Sequence, residues 1–209
     1  MKKNIISICN YHFLTRDINL DSIEVSEFEN RLNYLTDEKC KKLVDDLVNL
    51  ARNEISSAVS TTFIVQNIAY YNEKLDNLYF YKIIRLFENL AKSLQNITSS
   101  VESMKDFTTI PKITKNGVKK LLINEEEFFN LNDEEKDDVL KEIHKIFACR
   151  MNKFQRYYML LKNIELHDNT EDSLRKTINH NSTSLLTILK ERSEDFFALV
   201  RQLKNSDQS

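Results

Sequence analysis

Arg175 and His180 are the pair of side chains in this sequence whose types and spacing best suit chemistry. An arginine guanidinium can bind a phosphate, or the pentacoordinate transition state formed from it, through two parallel hydrogen bonds. A histidine titrates near neutral pH and can take a proton from a ribose 2′-hydroxyl. Together the two residues supply most of what metal-free cleavage of RNA requires, short of a second acid–base group.

The spacing of this pair determines how it could act on a helix. Leu174 and Ile178 are four residues apart, which places them on one helical face and predicts that this face meets the core. Arg175 and Asn179 then point to one flank of the polar side, and His180 points to the other, roughly 140° from Arg175. The two residues therefore bracket a polar groove, and a symmetric dimer of such pairs would supply the second acid–base group.

The stretch Leu-Arg-Lys-Thr-Ile-Asn-His-Asn, residues 174–181, resembles the signature of HEPN domains, in which an arginine precedes a histidine by four to six intervening residues. The resemblance covers the motif and a compatible helical setting near the end of the chain. It implies a bundle of four or five helices and a metal-independent endoribonuclease activity. Members of this family act in toxin–antitoxin, abortive-infection and CRISPR-linked defence systems, and they typically dimerise so that two motifs form one site.

This resemblance also assigns roles to the residues of the motif. It makes Arg175 and His180 the catalytic pair, with Asn179 and Asn181 as neighbours that orient them or bind substrate. Lys176 is a further candidate for substrate binding, although it stands where the family commonly has Asn, Asp or His. Some HEPN domains bind only nucleotides or proteins. The alternative hypothesis is therefore a non-catalytic helical interaction or adaptor protein with both residues on an exposed polar face.

The expected partners are RNA, a second copy of the chain and a protein partner such as an antitoxin, and no membrane partner is expected. The net charge of −2 and the pI near 6.1 give no strong positive field, which argues against high-affinity, non-specific DNA binding. No apolar run approaches the length of a transmembrane helix. The first residues resemble an export signal, but their apolar run is too short. We expect a cytoplasmic protein.

No metal site and no cofactor are expected. Glu142 and His144 are two residues apart on a predicted helix, so they cannot share one ion from one face. His167 and Asp168 resemble the His–Asp pair of metal-dependent phosphohydrolases, but that class needs further ligands, for which this sequence offers only unconvincing candidates. The cysteines, being odd in number and far apart, indicate reduced thiols, and we expect Cys149 to be a small buried core residue.

The glycine and proline content predicts the fold class. The chain of 209 residues contains one glycine and one proline, whereas phosphate-binding glycine loops, Rossmann fingerprints and all-β turns need more glycine than this. A hydrophobic fraction of 41% is typical of a globular protein. We therefore predict an all-α, up-and-down helical bundle that forms one domain over residues 1–209.

Four segments are predicted within that domain. An N-terminal arm covers residues 1–20, and helices occupy 21–106 and 124–204. Between the helices, Asn116-Gly117 lies between two short β-branched arms, which predicts a small β-hairpin insertion within 107–123, around 108–123. Four lysines make this insertion basic, which is typical of a solvated loop but would also suit a phosphate contact.

Helix starts and buried faces follow from local patterns. Caps are predicted at Asp21 or Ser22, at Thr36, at Asn132 paired with Glu135, and at Thr170. The leucines and aromatics that recur at three- and four-residue spacing are predicted to be buried; they include Leu43, Leu47, Leu78, Tyr79, Ile83, Phe87, Leu140, Ile143, Phe147, Phe154, Leu185, Leu189, Phe196 and Leu203. Arg150, Lys153, Arg156, Tyr157 and Tyr158 interleave cations with aromatics, which is compatible with an RNA-binding strip or with a solvated edge beside the core.

Overall fold

The structure, a computed structural model, describes residues 11–13, 16–18, 20–70, 76–105, 107 and 123–206. Its helices confirm the all-α prediction. They are α1 (Val25–Leu32), α2 (Asp37–Ser60), α3 (Phe63–Tyr70), α4 (Asn77–Ser103), α5 (Glu125–Asn130), α6 (Asp133–Leu166) and α7 (Asp172–Ser206). Two three-residue strands, β1 (Tyr11–Phe13) and β2 (Arg16–Ile18), pair antiparallel within the predicted N-terminal arm. The hairpin predicted around 108–123 falls almost wholly on residues outside the described ranges.

Contacts within the chain define two compact units. Unit 1 consists of Met1–Glu54, Ser103–Lys115 and Asn152–Leu185, and unit 2 consists of Ile55–Glu102, Asn116–Met151 and Leu186–Ser209. Helices α2, α6 and α7 each contribute residues to both. The single domain over residues 1–209 stays a prediction. None of the described helices is both long enough and apolar enough to cross a membrane.

The core of unit 1 is built from the predicted helical stripes. Phe28 of α1, Leu43 and Leu47 of α2, Phe154 of α6 and Ile178 of α7 are all fully buried. Each lies at the three- or four-residue spacing that brings apolar side chains to one face of its helix. Burial of these side chains stabilises the unit by about 1.5–3 kcal/mol per residue relative to exposure.

Arg156 of α6 is buried, although the sequence suggested that it lies on an RNA-binding strip or on a solvated edge. It is 2% exposed, and its guanidinium donates hydrogen bonds to the backbone carbonyls of Leu20 and Ile23. A buried cation requires such partners because an unsatisfied charge in the protein interior costs several kcal/mol. Arg156 therefore belongs neither to an RNA-binding strip nor to a solvated edge; it fixes the segment that leads into α1.

Asp21 completes this attachment and does not cap α1. Its carboxylate accepts hydrogen bonds from the Lys153 ammonium at 2.8 Å and from the Tyr157 hydroxyl at 2.5 Å. Helix α1 begins at Val25, three residues later than an Asp21 cap would require, and Glu24 precedes it without a side-chain cap. The predicted cap at Asp21 or Ser22 is wrong, because Glu24 is the residue at the N-cap position. The Asp21 carboxylate instead accepts hydrogen bonds from Lys153 and Tyr157 of α6.

The Asp21 carboxylate makes the stability of the protein depend on pH. Burial raises its pKa, but hydrogen bonds from Lys153 and Tyr157 and the charges of Lys153 and Arg156 outweigh that effect, so the pKa lies below its ordinary value of 3.8. A lowered carboxyl pKa stabilises the fold above pH 4 or so, and this contribution disappears as the pH falls through the folded-state pKa. We expect the free energy of unfolding to fall less steeply below about pH 4 in Asp21→Asn than in wild type. Equal slopes in urea titrations at several pH values would contradict this.

Unit 2 is organised around an aromatic cluster. Phe196 of α7 lies 5.6 Å from Phe87 of α4 and 6.3 Å from Phe147 of α6, measured between ring centroids. All three side chains are buried, as their spacing predicted. On the same unit, the Ser193 hydroxyl donates to the carbonyl of Ala91 at 3.0 Å, so α4 and α7 are also joined by a buried hydrogen bond.

A second contact in unit 2 joins the start of α4 to the start of α6. The buried Tyr79 hydroxyl donates to the carbonyl of Asp133 at 2.6 Å. Lys82 forms an ion pair with Asp137 at 2.6 Å, and its ammonium lies 4.4 Å from the centroid of the Tyr79 ring. Burial and the nearby Asp137 and Asp133 raise the pKa of the Tyr79 phenol, which keeps the hydroxyl protonated as a donor.

The capping box predicted at Asn132 and Glu135 is confirmed, and α5 begins with a second one that was not predicted. Asn132 accepts from the backbone N–H of Glu135 at 3.0 Å, and the Glu135 carboxylate accepts from the N–H of Asn132 at 2.9 Å. Asn124 and Glu127 form the same reciprocal pair at the start of α5. These local motifs satisfy N–H groups that a helix leaves unpaired at its beginning.

Two predictions of buried side chains were wrong. Leu78 is 60% exposed because the buried stripe of α4 runs through Tyr79, Ile83 and Phe87, and a residue directly before Tyr79 points to the opposite side of that stripe. Cys149 is only partly buried, although a small core residue was expected. It lies beside the stripe of α6 that Ile146 and Phe147 define.

Candidate functional site

The Arg175–His180 stretch lies in unit 1, in the first turns of α7. Helix α6 ends at Leu166, and residues 167–171 connect it to α7. The Thr170 hydroxyl donates to the carbonyl of Ile164 at 2.6 Å, so it closes the end of α6. The predicted cap of α7 at Thr170 is wrong, since α7 begins at Asp172 and its first turn closes on the carbonyl of Glu171.

Arg175 is bound to the connection that precedes its own helix. Its Nε donates to the carbonyl of Thr170 at 2.9 Å, and its Nη2 donates to the carbonyls of His167 at 2.9 Å and Asp168 at 3.4 Å. The side chain is half-buried. These carbonyls carry partial negative charge near the end of α6, where a cation is favourable. Arg175 therefore stabilises the α6–α7 connection, and among the described residues only Nη1 of its guanidinium nitrogens has no hydrogen-bond partner.

His180 lies on the solvent side of α7. It is exposed, whereas Ile178 is fully buried, which confirms the predicted inward face. The His180 side chain makes no hydrogen bond or ion pair within the described ranges. Its imidazole is therefore available to a substrate or to a second molecule.

Lys176, and not Arg175, is the cation that shares a helical face with His180. The two are four residues apart on one continuous helix, a spacing that places their Cβ atoms about 5–6 Å from each other. Both are exposed, as is Asn179 beside them, and Asn181 is half-buried on another flank. Sequence reasoning could have found this pair, because the four-residue rule applies to Lys176 and His180 but not to Arg175 and His180.

His167 lies next to Arg175, and the sequence indicated for it only a possible role as a metal ligand. Its carbonyl accepts from Arg175, and its Nδ1 lies 3.4 Å from the backbone nitrogen of Asn169. The Asn169 amide in turn donates to the Asn33 side chain at 3.3 Å, which joins this connection to the residue after α1. Among the described residues, no three His, Cys, Asp or Glu side chains are grouped so that they could hold a metal ion.

Cysteine chemistry is not favoured at the described thiols. Cys40 and Cys149 are both partly buried. Burial and the nearby Asp37 raise the pKa of the Cys40 thiol, which reduces the thiolate fraction that a nucleophile needs.

Ser182 directly follows the motif, and its hydroxyl is buried without a hydrogen-bond partner among the described residues. The residue is 2% exposed. An unsatisfied buried hydroxyl costs about 1–3 kcal/mol, and alanine is also the better helix former. We expect Ser182→Ala to raise the free energy of unfolding by about 1 kcal/mol in urea titrations.

Ser193 provides the matched control for that prediction. It is also a buried serine on α7, but its hydroxyl is satisfied by the carbonyl of Ala91. Ser193→Ala should therefore be neutral or lower the free energy of unfolding by about 1 kcal/mol. If the two variants shifted stability in the same direction and by the same amount, the orphaned hydroxyl of Ser182 would not be the cause.

Comparison with known proteins gives no relative: no protein-family model, no curated protein and no solved structure matches the chain.

Proposed function

We propose that the protein is a HEPN-like, metal-independent endoribonuclease of a toxin–antitoxin, abortive-infection or other defence system, acting in the cytoplasm as a homodimer. The observation that supports this is the exposed His180 imidazole on a continuous helix, with the Lys176 ammonium one turn before it. An exposed imidazole can act as an acid–base group near neutral pH, and a neighbouring ammonium can hold a phosphate. Asn179 lies on the same exposed side and can donate a hydrogen bond to substrate.

The proposal assigns one half of the chemistry to each protomer. One His180 would take the proton from the ribose 2′-hydroxyl, and the partner's His180 would protonate the departing 5′-oxygen. Attack of the 2′-oxygen breaks the bond from phosphorus to the 5′-oxygen and leaves a 2′,3′-cyclic phosphate. Lys176 would hold the phosphate in this scheme, and Arg175 would either contribute Nη1 to it or keep the α6–α7 connection in place.

Cleavage of end-labelled RNA in the presence of a metal chelator tests the proposal. We expect His180→Ala to lower the rate by at least about 100-fold, since acid–base groups contribute about 10²–10⁴-fold. Lys176→Ala should lower the rate by about 10-fold while circular dichroism stays unchanged. His144→Ala is the control, because His144 is an exposed histidine on α6 outside the motif. If wild type and His180→Ala cleave equally, or if neither cleaves, the proposal is wrong.

The second candidate function is a non-catalytic interaction or adaptor protein. The hydrogen bonds of Arg175 favour it, because three backbone carbonyls already occupy the guanidinium that the motif would need for phosphate. In this case Arg175→Ala would weaken the α6–α7 connection without any effect on RNA. Inert wild-type protein that nevertheless binds a protein partner would support this candidate.

A further inference from the structure

The turn between α1 and α2, residues 33–36, and the connection between α6 and α7, residues 167–171, form one surface of unit 1. They are joined where the Asn169 side-chain amide donates to the Asn33 side chain at 3.3 Å. The connection also holds Arg175 of the motif through its backbone carbonyls. We call these two segments, together with Leu166 at the end of α6, the turn patch. The turn patch therefore borders the candidate site.

The turn patch exposes two large apolar side chains. Tyr34 is 72% exposed and Leu166 is 58% exposed, and no other large apolar side chain is exposed in the described part of unit 1. Single exposed apolar residues are common, but two of them in segments that are hydrogen-bonded to each other form a surface that a ligand can cover. An exposed tyrosine ring offers a flat π-face on which a nucleobase of any type can stack.

The amides of Asn33 and Asn169 supply hydrogen-bonding groups beside the ring. Their mutual hydrogen bond uses Nδ2 of Asn169 and Oδ1 of Asn33. Among the described residues, the Nδ2 donor of Asn33 and the Oδ1 acceptor of Asn169 have no partner. Proteins bind unpaired bases through such donors and acceptors on the base edges. A flat ring next to one donor and one acceptor therefore fits a nucleobase better than it fits an aliphatic ligand.

The charges around the turn patch indicate which part of a nucleotide it can hold. Asp168 lies in the connection, and Asp37 and Glu38 begin α2 directly after the turn. All three are exposed, and none forms an ion pair with another described residue. Carboxylates repel a phosphate, but they can accept hydrogen bonds from the amino group of a base. The turn patch therefore suits a neutral base, whereas the exposed Lys176 on α7 suits the phosphate.

We propose that the turn patch binds an unpaired base of RNA. The base stacks on the ring of Tyr34, and its edge exchanges hydrogen bonds with Asn33 and Asn169. Because the bases of an A-form duplex are already stacked and paired, this site selects single-stranded RNA. The inference rests on the proposed ribonuclease function for the identity of its ligand, and it adds a base-binding site outside the Arg175–His180 stretch.

Tryptophan fluorescence tests the site directly, since the chain contains no tryptophan. In Tyr34→Trp the only indole lies in the turn patch, and titration with a single-stranded, mixed-sequence 2′-O-methyl RNA oligonucleotide should quench it. This probe binds without being cleaved, because its 2′-oxygen is blocked. The same strand paired with its complement should bind about 10-fold more weakly or worse, because its bases cannot stack on the ring. Tyr70→Trp is the matched control: Tyr70 is 59% exposed on α3 of unit 2, and an indole there should not respond.

Affinities of further variants separate stacking from phosphate binding. Tyr34→Ala should weaken binding of a labelled strand by about 10-fold or more in fluorescence anisotropy, with an unchanged urea midpoint. Tyr34→Phe keeps the ring and should recover most of that affinity, and Tyr70→Ala should bind as wild type does. Because the ring is neutral, Tyr34→Ala should leave the slope of log Kd against log salt concentration unchanged. Lys176→Ala, which removes a phosphate contact, should reduce that slope by about 0.7.

Three results would each overturn the base-binding site: equal affinities of wild type and Tyr34→Ala, a Tyr34→Trp indole that RNA does not quench, or duplex RNA bound as tightly as the single strand. Wild type that binds no oligonucleotide would overturn it as well. The ribonuclease proposal is decided separately, by the cleavage assay. Cleavage by wild type without quenching in Tyr34→Trp would support the ribonuclease and exclude the base site, and quenching in a protein that cleaves no RNA would do the reverse.

Discussion

Replacement of Arg156 by methionine is expected to lower the free energy of unfolding by about 4 kcal/mol. The guanidinium is 2% exposed, and it donates to the carbonyls of Leu20 and Ile23. Methionine fills a similar volume but donates no hydrogen bond, so both carbonyls lose a charged donor and Asp21 loses a neighbouring cation. Each buried group left without its partner costs about 1–3 kcal/mol. Urea titration followed by far-ultraviolet circular dichroism measures the change.

Two further variants separate the role of Arg156 from general effects of losing an arginine. Arg52→Met removes an exposed arginine from α2 and should change stability by less than about 0.5 kcal/mol. Arg156→Lys retains the charge but not the planar fork that serves two carbonyls, so it should recover only part of the loss. Hydrogen exchange should accelerate first at the start of α1, where the N–H of Phe28 bonds to the carbonyl of Glu24. If Arg156→Met were as stable as Arg52→Met, the hydrogen bonds assigned to Arg156 would be wrong.

Phe87→Ala is expected to lower the free energy of unfolding by about 4 kcal/mol. Phe87 is fully buried, and its ring contacts Phe196, which in turn contacts Phe147. Truncation removes the transfer free energy of the ring and leaves a cavity that the surrounding side chains fill only in part. A shift of the urea midpoint with an unchanged slope would show that stability changed while the unfolded state did not.

The surroundings of Phe87 supply controls on the same helix. Leu78→Ala, at an exposed position of α4, should cost less than about 0.5 kcal/mol. Phe87→Leu should cost less than Phe87→Ala because it leaves a smaller cavity. The double variant with Phe196→Ala should be less destabilised than the sum of the singles by about 1 kcal/mol, the coupling expected of an aromatic pair. Additive losses would show that the two rings do not interact.

The part of the fold that the sequence predicted depends on neighbours along the chain. The scarcity of glycine and proline indicated helices, and the pair Asn132–Glu135 marks a helix start by contacts three residues apart. The inward positions of α7, such as Leu185 and Leu189, follow from helical spacing and are buried. In each case the determining interaction spans one or two helical turns.

Contacts between distant residues explain what the sequence did not predict. Arg156 and Ile23 are separated by 133 positions, and no local pattern links a cation among aromatics with two backbone carbonyls near the start of the chain. The cap expected at Asp21 failed for the same reason, since Lys153 and Tyr157 take its carboxylate. Local propensity predicts which residues can cap a helix, but tertiary partners decide which of them does.

The candidate site contains one contact that the sequence could have predicted and one set of contacts that it could not. The Lys176–His180 pair follows from spacing alone and could have been predicted, whereas the partners of Arg175 could not. They are carbonyls of residues 167, 168 and 170, and any residue type presents the same carbonyl group. The residue types of the α6–α7 connection therefore could not predict that the Arg175 side chain bonds to its carbonyls.

The hydrogen bonds of Arg175 also mean that binding an anion and holding the α6–α7 connection compete for the same guanidinium group. Any anion that draws Nε and Nη2 away must leave the carbonyls of His167 and Thr170 without their donor. Affinity of the guanidinium for an anion and order in the α6–α7 connection are therefore linked with opposite sign, and linkage makes the effect reciprocal. A substitution that loosens the connection would strengthen anion binding. A tightly held connection would allow Arg175 to bind only those anions whose interaction with the guanidinium is stronger than its hydrogen bonds to the three carbonyls.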